Sequence, residues 1–208
     1  MIFSYLRKRR RRKLCAEPYP PQWLDKVRRY VPQYALLSEA HQTRLRDTAR
    51  VLVAEKHWEG CGGLEITEEH CIAIAAQAAL LLLELNHDYF RRVQSILVYP
   101  HEFVDPRGRR GEDGIVRLDQ SMLGEAHYDG PVVLSWSDVL KAAELPHSGH
   151  HVVLHEFAHQ LDMNNRGIDG TPALRSRALA RRWAVIMQRE FRQLRRDANH
   201  GRATLLDH

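Results

Sequence analysis

The chain has 208 residues, 44% of them hydrophobic, with 31 Lys and Arg against 26 Asp and Glu and a formal charge of +5. That length suits one sizeable core and excludes two large ones, so the chain reads as one domain. The charge sits in one place: Arg7, Lys8, Arg9, Arg10, Arg11, Arg12 and Lys13 are consecutive cations, and without these seven, 24 basic residues face 26 acidic ones, a net of −2. The remaining body is not basic, which argues against nucleic acid as its partner.

Residues 1–16 therefore read as a basic tail. Like charges packed this densely repel one another, which predicts a solvated, disordered segment, with weak contact to nucleic acid or anionic lipid as the alternative. The six residues before the cations, MIFSYL, are too few for a signal-peptide core and lie on the wrong side of the charge. From Pro18 to Pro32 the prolines bound an extended entry and a short helix. Ser38 has the chemistry of an N-cap for a helix in which Leu45, Thr48, Ala49, Leu52 and Val53 recur at helical spacing, with Gly60 ending the pattern.

The turn EGCGG leads to LEIT, a short alternating strand, and Thr67 with Glu68 and Glu69 opens the next helix. That helix carries the longest apolar run, Cys71 to Leu85, which is broken by Gln77 and falls short of the ~20 residues that span a bilayer. It reads as a buried helix, and no transmembrane segment is expected. SILVYP is a strand, VDPRGRRGEDG a polar loop, and IVRLD and GPVVLSW two further strands. SDVLKAAEL follows as a helix capped by Ser137 or Asp138, then the loop PHSGH. A helix over HHVVLHEFAHQLD comes next, then the loop NNRGIDGTP and a long charged helix from Pro172 to about Arg196. This order is mostly helical with a small mixed sheet, an α+β class. Cys15, Cys61 and Cys71 are an odd set without a Cys-x-x-Cys pair, which fits a reducing cytosol and cytoplasmic location, with Cys71 in the core and Cys61 in a glycine turn.

The chemistry gathers at His155-Glu156-Phe157-Ala158-His159, which matches His-Glu-x-x-His. Residues four apart lie one turn up the same helix face, so both imidazoles reach one metal ion. Glu156 lies about 100° round the helix, badly placed as a further ligand but well placed to hold the attacking water. The pattern is that of a zinc-dependent hydrolase, with the glutamate taking a proton and passing it to the leaving amine. By composition it would arise somewhere about one time in twenty, so its context matters: Val152, Val153, Phe157 and Leu161 give the helix an apolar side, on which two solvated histidines are poorly explained. His147, His150 and His151 read as loop or cap residues. Asp162 is on the ligand face but about 7 Å of rise too far along for the ion, so it reads as a partner for the free N–H of a ligating imidazole or a neighbouring group. VVLSW reads either as an ordinary half-buried strand or as an exposed edge that takes extended substrate.

In the order and spacing of AEKHWEGCGGLEIT, IAAQAALLLLEL, SILVYP, GPVVLSW and VVLHEFAHQLDM, the sequence resembles the Mlc titration factor A family of bacterial zinc-dependent peptidases over nearly its whole length. The resemblance implies a zincin-like fold and cytosolic hydrolysis of a peptide or protein substrate with Zn²⁺. It also implies His155 and His159 as ligands and Glu156 as catalytic base. The best-known family member binds a repressor of sugar uptake, which implies a transcriptional regulator as a further partner. Family members continue for several tens of residues after a segment like GRATLLDH, where an Asn/Asp-Pro-Ala-Glu helix supplies a glutamate as third ligand. The sequence stops at His208, so residues 17–208 are expected to be a peptidase domain incomplete at its C-terminus. No internal acid, Asp169 and Glu190 included, stands in a context that clearly replaces that glutamate.

Overall fold

The computed structural model describes residues 2–85, 87–101, 130–146, 149–163, 174, 176–202 and 204. The first element corrects the sequence reading: the basic run is not a disordered tail but a helix, α1 (Ile2–Ala16). Arg, Lys and Leu are strong helix formers, and one stripe of the charge is neutralised from a distance. Arg11 donates through Nε and Nη2 to both carboxylate oxygens of Glu55 (2.8 and 2.6 Å) and through Nη1 to Asp88 (2.5 Å), and Arg7 reaches Asp88 at 3.2 Å. The Arg11 guanidinium also lies 4.2 Å from the centroid of the Tyr89 ring. At the helix end, Arg50 donates to the carbonyls of Leu14 in the last turn and of Glu17 and Pro18 just after it, which supplies acceptors left over at a C-terminus with a cation.

Helix α2 (Pro21–Tyr30) starts on the expected proline and is followed by a 3₁₀ turn at Pro32–Leu36. Ser38 caps α3 (Glu39–Glu55), accepting from the His41 N–H, and Leu45, Thr48, Ala49 and Leu52 are buried as their spacing predicts. The helix ends before the expected stop at Gly60, however. Lys56 turns out of it and buries its ammonium against the carbonyls of Phe90 (2.7 Å) and Val93 (2.9 Å), and His57 N–H donates to Gln94. Residues expected at the helix end thus become strand β1 (His57–Gly60). The expected strand LEIT is instead a connector whose Leu64 and Ile66 pack on the core. The chain reverses tightly here: a Cβ on Gly60 would stand 2.0 Å from the Leu64 carbonyl oxygen, and Gly62 and Gly63 have φ of +60° and +83°.

Helix α4 (Glu68–Ala79) runs on into a 3₁₀ turn at Leu80–Leu82 and is buried from His70 to Ala79. Its start is fixed by His70 Nδ1, which accepts the Thr67 N–H at 3.0 Å. Gln77, the polar interruption in the run, is fully buried and donates to the carbonyls of Tyr30 (3.1 Å) and Val139 (3.3 Å), tying α2 to the helix after the sheet. Strand β2 (Ser95–Tyr99) lies between β1 and β3 (Val132–Ser135), with His57 opposite Ser95 and Ile96 opposite Val132. Among the described residues all three strands are parallel. Parallel neighbours need a crossover, and α4 is the one between β1 and β2. The expected strand IVRLD and the loops VDPRGRRGEDG and NNRGIDGTP lie outside the described residues.

The third strand is shorter than GPVVLSW suggests, because Trp136 opens α5 (Trp136–Glu144). Its cap is Ser135, accepting from Asp138 N–H at 3.3 Å, not Ser137 or Asp138. Helix α6 (Val152–Asp162) packs against α4, α5 and β3. Helix α7 (Arg177–Asn199) is capped by Ser176 and has no buried residue; it begins after the expected Pro172, which lies outside the described residues. Among the described residues no helix is long and apolar enough to cross a membrane.

Candidate metal centre

The candidate site is built on α6, and the helix is anchored from below before its polar residues enter. Val153 and Phe157 are fully buried, Val152 nearly so, and the Phe157 ring meets Phe90 edge-on with centroids 4.7 Å apart. At its start, His151, one of three histidines read as loop or cap residues, is the cap: its Nδ1 accepts the Leu154 N–H at 3.3 Å. Burial, with the neighbouring His150 adding to it, lowers the His151 pKa despite an opposing backbone hydrogen bond, which keeps the ring neutral and Nδ1 available as an acceptor. At the other end, Arg92 Nη1 donates to the Met163 carbonyl at 3.0 Å, so an arginine 71 residues away in sequence holds the last turn.

On the flank left by this anchoring, the half-buried His155 and His159 converge. Their Nε2 atoms are 3.0 Å apart, with ring centroids at 4.6 Å and planes at 82°. Two neutral rings at that distance share one proton between them, whereas a cation would use the lone pairs of both. Two nitrogens about 2.0–2.1 Å from a tetrahedral zinc ion stand roughly 3.3 Å apart, close to the spacing of this pair. The donor chemistry and convergence fit a zinc ion as two of its ligands. Among the described residues no third His, Cys, Asp or Glu joins them. Glu156 is half-buried beside the pair along the helix, and Asp162 is the half-buried last residue of α6. Asp169 lies outside the described residues. Glu190 stands on α7, half exposed and paired with Arg189 at 2.7 Å.

Support for the site comes from residues that a local reading passes over. Phe90 and Arg92 sit far from α6 in the chain, and neither carries a motif; the aromatic side chain of Phe90 is the only local hint of a packing role. Strand β3 lies directly under α6, and among the described residues no strand pairs with its edge away from β2.

Known proteins resemble the chain at the level of family. The profile of a family described as glucose-regulated metallo-peptidase M90 matches residues 5–208. An uncharacterised Synechocystis protein, slr2042, is 33% identical over 201 residues, which cover 95% of this chain and 73% of that protein. The Mlc titration factor A proteins of Yersinia pestis and Yersinia pseudotuberculosis are 32% identical over 161 residues, which cover 76% of this chain and 58% of theirs. The match thus spans less than two thirds of the titration factors' own length.

Proposed function

We propose a function from one premise: this chain belongs to the glucose-regulated metallo-peptidase M90 family and is related to the Mlc titration factor A proteins. Our reading is a zinc-dependent peptidase with a zincin-like active site, acting on peptides or proteins in the cytoplasm. The observation that carries it is the convergence of His155 and His159 Nε2 atoms at 3.0 Å on a helix whose other side is locked into the core. His155 and His159 would hold the ion, with a further protein ligand outside the described residues. When bound, zinc supplies a Lewis acid that polarises the scissile carbonyl and lowers the pKa of a water toward ~7.

The chain's own residues supply the rest. Glu156, next to His155 in sequence and turned about 100° round the helix, takes the proton of the attacking water and returns it to the leaving amine. Asp162 accepts the free N–H of a ligating imidazole or a neighbouring group, which fixes ring orientation and raises ligand basicity. The edge of β3 takes the substrate backbone in extended form beside α6, its N–H and C=O groups pairing as a further strand would.

Metal analysis and a peptidase assay test the assignment together. His155→Ala and His159→Ala are each expected to abolish stoichiometric zinc binding, while Glu156→Gln retains the metal and loses hydrolysis. Full zinc content in the double histidine variant would overturn the ligand assignment. A second reading follows from the printed name of the titration factors, which speaks of titrating Mlc: capture of a transcriptional regulator, with hydrolysis secondary or absent. Regulator capture that survives Glu156→Gln, in a chain that cleaves no peptide, would favour that reading.

A further inference from the structure

The cations of α1 divide into two sets. Arg7 and Arg11 face inward to Asp88 and Glu55 and, among the described residues, make the ion pairs of this run. Lys8, Arg9, Arg10, Arg12 and Lys13 are exposed, five positive charges on a helix whose orientation the inner pairs hold. Two large apolar side chains accompany them: Tyr5 is 60% exposed and Leu6 51%. At about 100° per residue, Leu6, Arg9 and Lys13 fall within about 40° of the direction opposite Arg11, and Tyr5 within about 60°. The outward face of α1 therefore presents apolar residues toward its N-terminal end and cations along the rest. Beside it, between α1, the end of α3 and Arg91, a groove of about 500 Å³ is lined by Leu6, Arg7, Arg10 and Arg91 together with the Arg11–Glu55 pair, so Arg91 adds one cation from outside the helix.

We propose that this face of α1 docks the protein peripherally on an anionic lipid bilayer, with Tyr5 and Leu6 entering the headgroup boundary and Arg9, Arg10, Lys13 and Arg91 meeting lipid phosphates. The mixture of groups selects the partner. A helix with an apolar stretch and a basic face matches the two layers of a membrane interface, acyl boundary and phosphates. A nucleic-acid duplex would satisfy the cations and leave Tyr5 and Leu6 uncovered. Outside residues 7–13 the chain carries a net of −2, and α7 adds a further set of exposed arginines beside Val185, Met187 and Phe191, so the α1 substitutions below are what assign the attachment to this helix. Such attachment is reversible and falls with ionic strength, since exposed charges are screened beyond a Debye length of about 8–10 Å at physiological salt.

The test is co-sedimentation of the full chain with vesicles of phosphatidylcholine alone and of phosphatidylcholine mixed with phosphatidylglycerol, at low and high salt. Binding is expected to the mixed vesicles only, weakening as salt rises. Arg9→Ala and Lys13→Ala should each lower the partition coefficient about fivefold. Leu6→Ser should lower it without changing the charge, and Tyr5→Ser serves as an independent second variant. These side chains point to solvent, so unchanged thermal melting is expected and confirms intact folding. Equal binding to neutral vesicles, or no loss in both Leu6→Ser and Tyr5→Ser, would overturn the proposal. So would tighter binding to a DNA duplex than to the anionic vesicles at matched salt, which would assign the face to nucleic acid.

Discussion

Helices α1 and α6 both hold charged or polar groups in fixed positions, and they do so by opposite means. Helix α6 is fastened by hydrocarbon: Val153 and Phe157 are fully buried, and Phe90 closes over Phe157. Helix α1 is fastened by charge, through the Arg11 contacts to Glu55, Asp88 and Tyr89. The segment from Asp88 to Phe90 serves both: Asp88 and Tyr89 receive Arg11, and Phe90 receives Phe157. Tyr89 and Phe90 have φ of 54° and 48°, an uncommon left-handed conformation for aromatic residues, so the surrounding contacts must hold the backbone there. The contrast teaches that a site meant to keep its geometry in any salt rests on buried apolar side chains, whereas a helix held by ion pairs depends on the medium.

The comparison breaks most severely at Phe157. Phe157→Ala removes the anchor of α6 and is expected to cost roughly 3–5 kcal/mol, with little dependence on salt. Denaturant unfolding at two ionic strengths measures it, and a loss below about 1 kcal/mol would show that the helix is held by something else. Arg11→Ala should cost less, about 1–3 kcal/mol, because the carboxylates it abandons regain water. That cost should shrink as salt rises, while the Phe157→Ala cost should not. Equal salt dependence of the two would erase the distinction.

At the end of α6, Asp162→Ala is expected to weaken zinc affinity about 10–100-fold without removing the metal. Complete loss, equal to that of His159→Ala, would make Asp162 a ligand. A pH-dependent effect concerns His87, beside the shared segment. Burial, with Arg44 and Arg11 adding to it, lowers its pKa to about 4. An unfolded histidine titrates near 6.5, so between those values the unfolded chain binds more protons and stability falls as pH drops from about 6.5 to about 4. His87→Asn should flatten that part of the stability curve. Identical slopes in variant and parent would show that the imidazole is not held neutral.

Local chemistry alone determined a good part of this protein. The i, i+4 placement of His155 and His159 with Glu156 between them, the caps at Ser38 and His151, the buried run of α4 and the strand SILVY all follow from periodicity and side-chain type over a few residues. Family membership was legible in the same segments. The tertiary structure decided what depends on partners distant in the chain. Like-charge repulsion within residues 7–13 predicts disorder, yet Glu55 and Asp88, 44 and 77 residues from Arg11, turn the run into a docked helix. The expected helix runs on to Gly60, but Lys56 is drawn to carbonyls 34 and 37 residues away, so the chain leaves the helix and joins the sheet. Strand direction, the edge of β3, and the hold of Phe90 and Arg92 on α6 were likewise beyond local reading. Periodicity reports which face of an element is apolar, while the free energy of an ion pair or ladder hydrogen bond belongs to two segments at once and appears in neither alone.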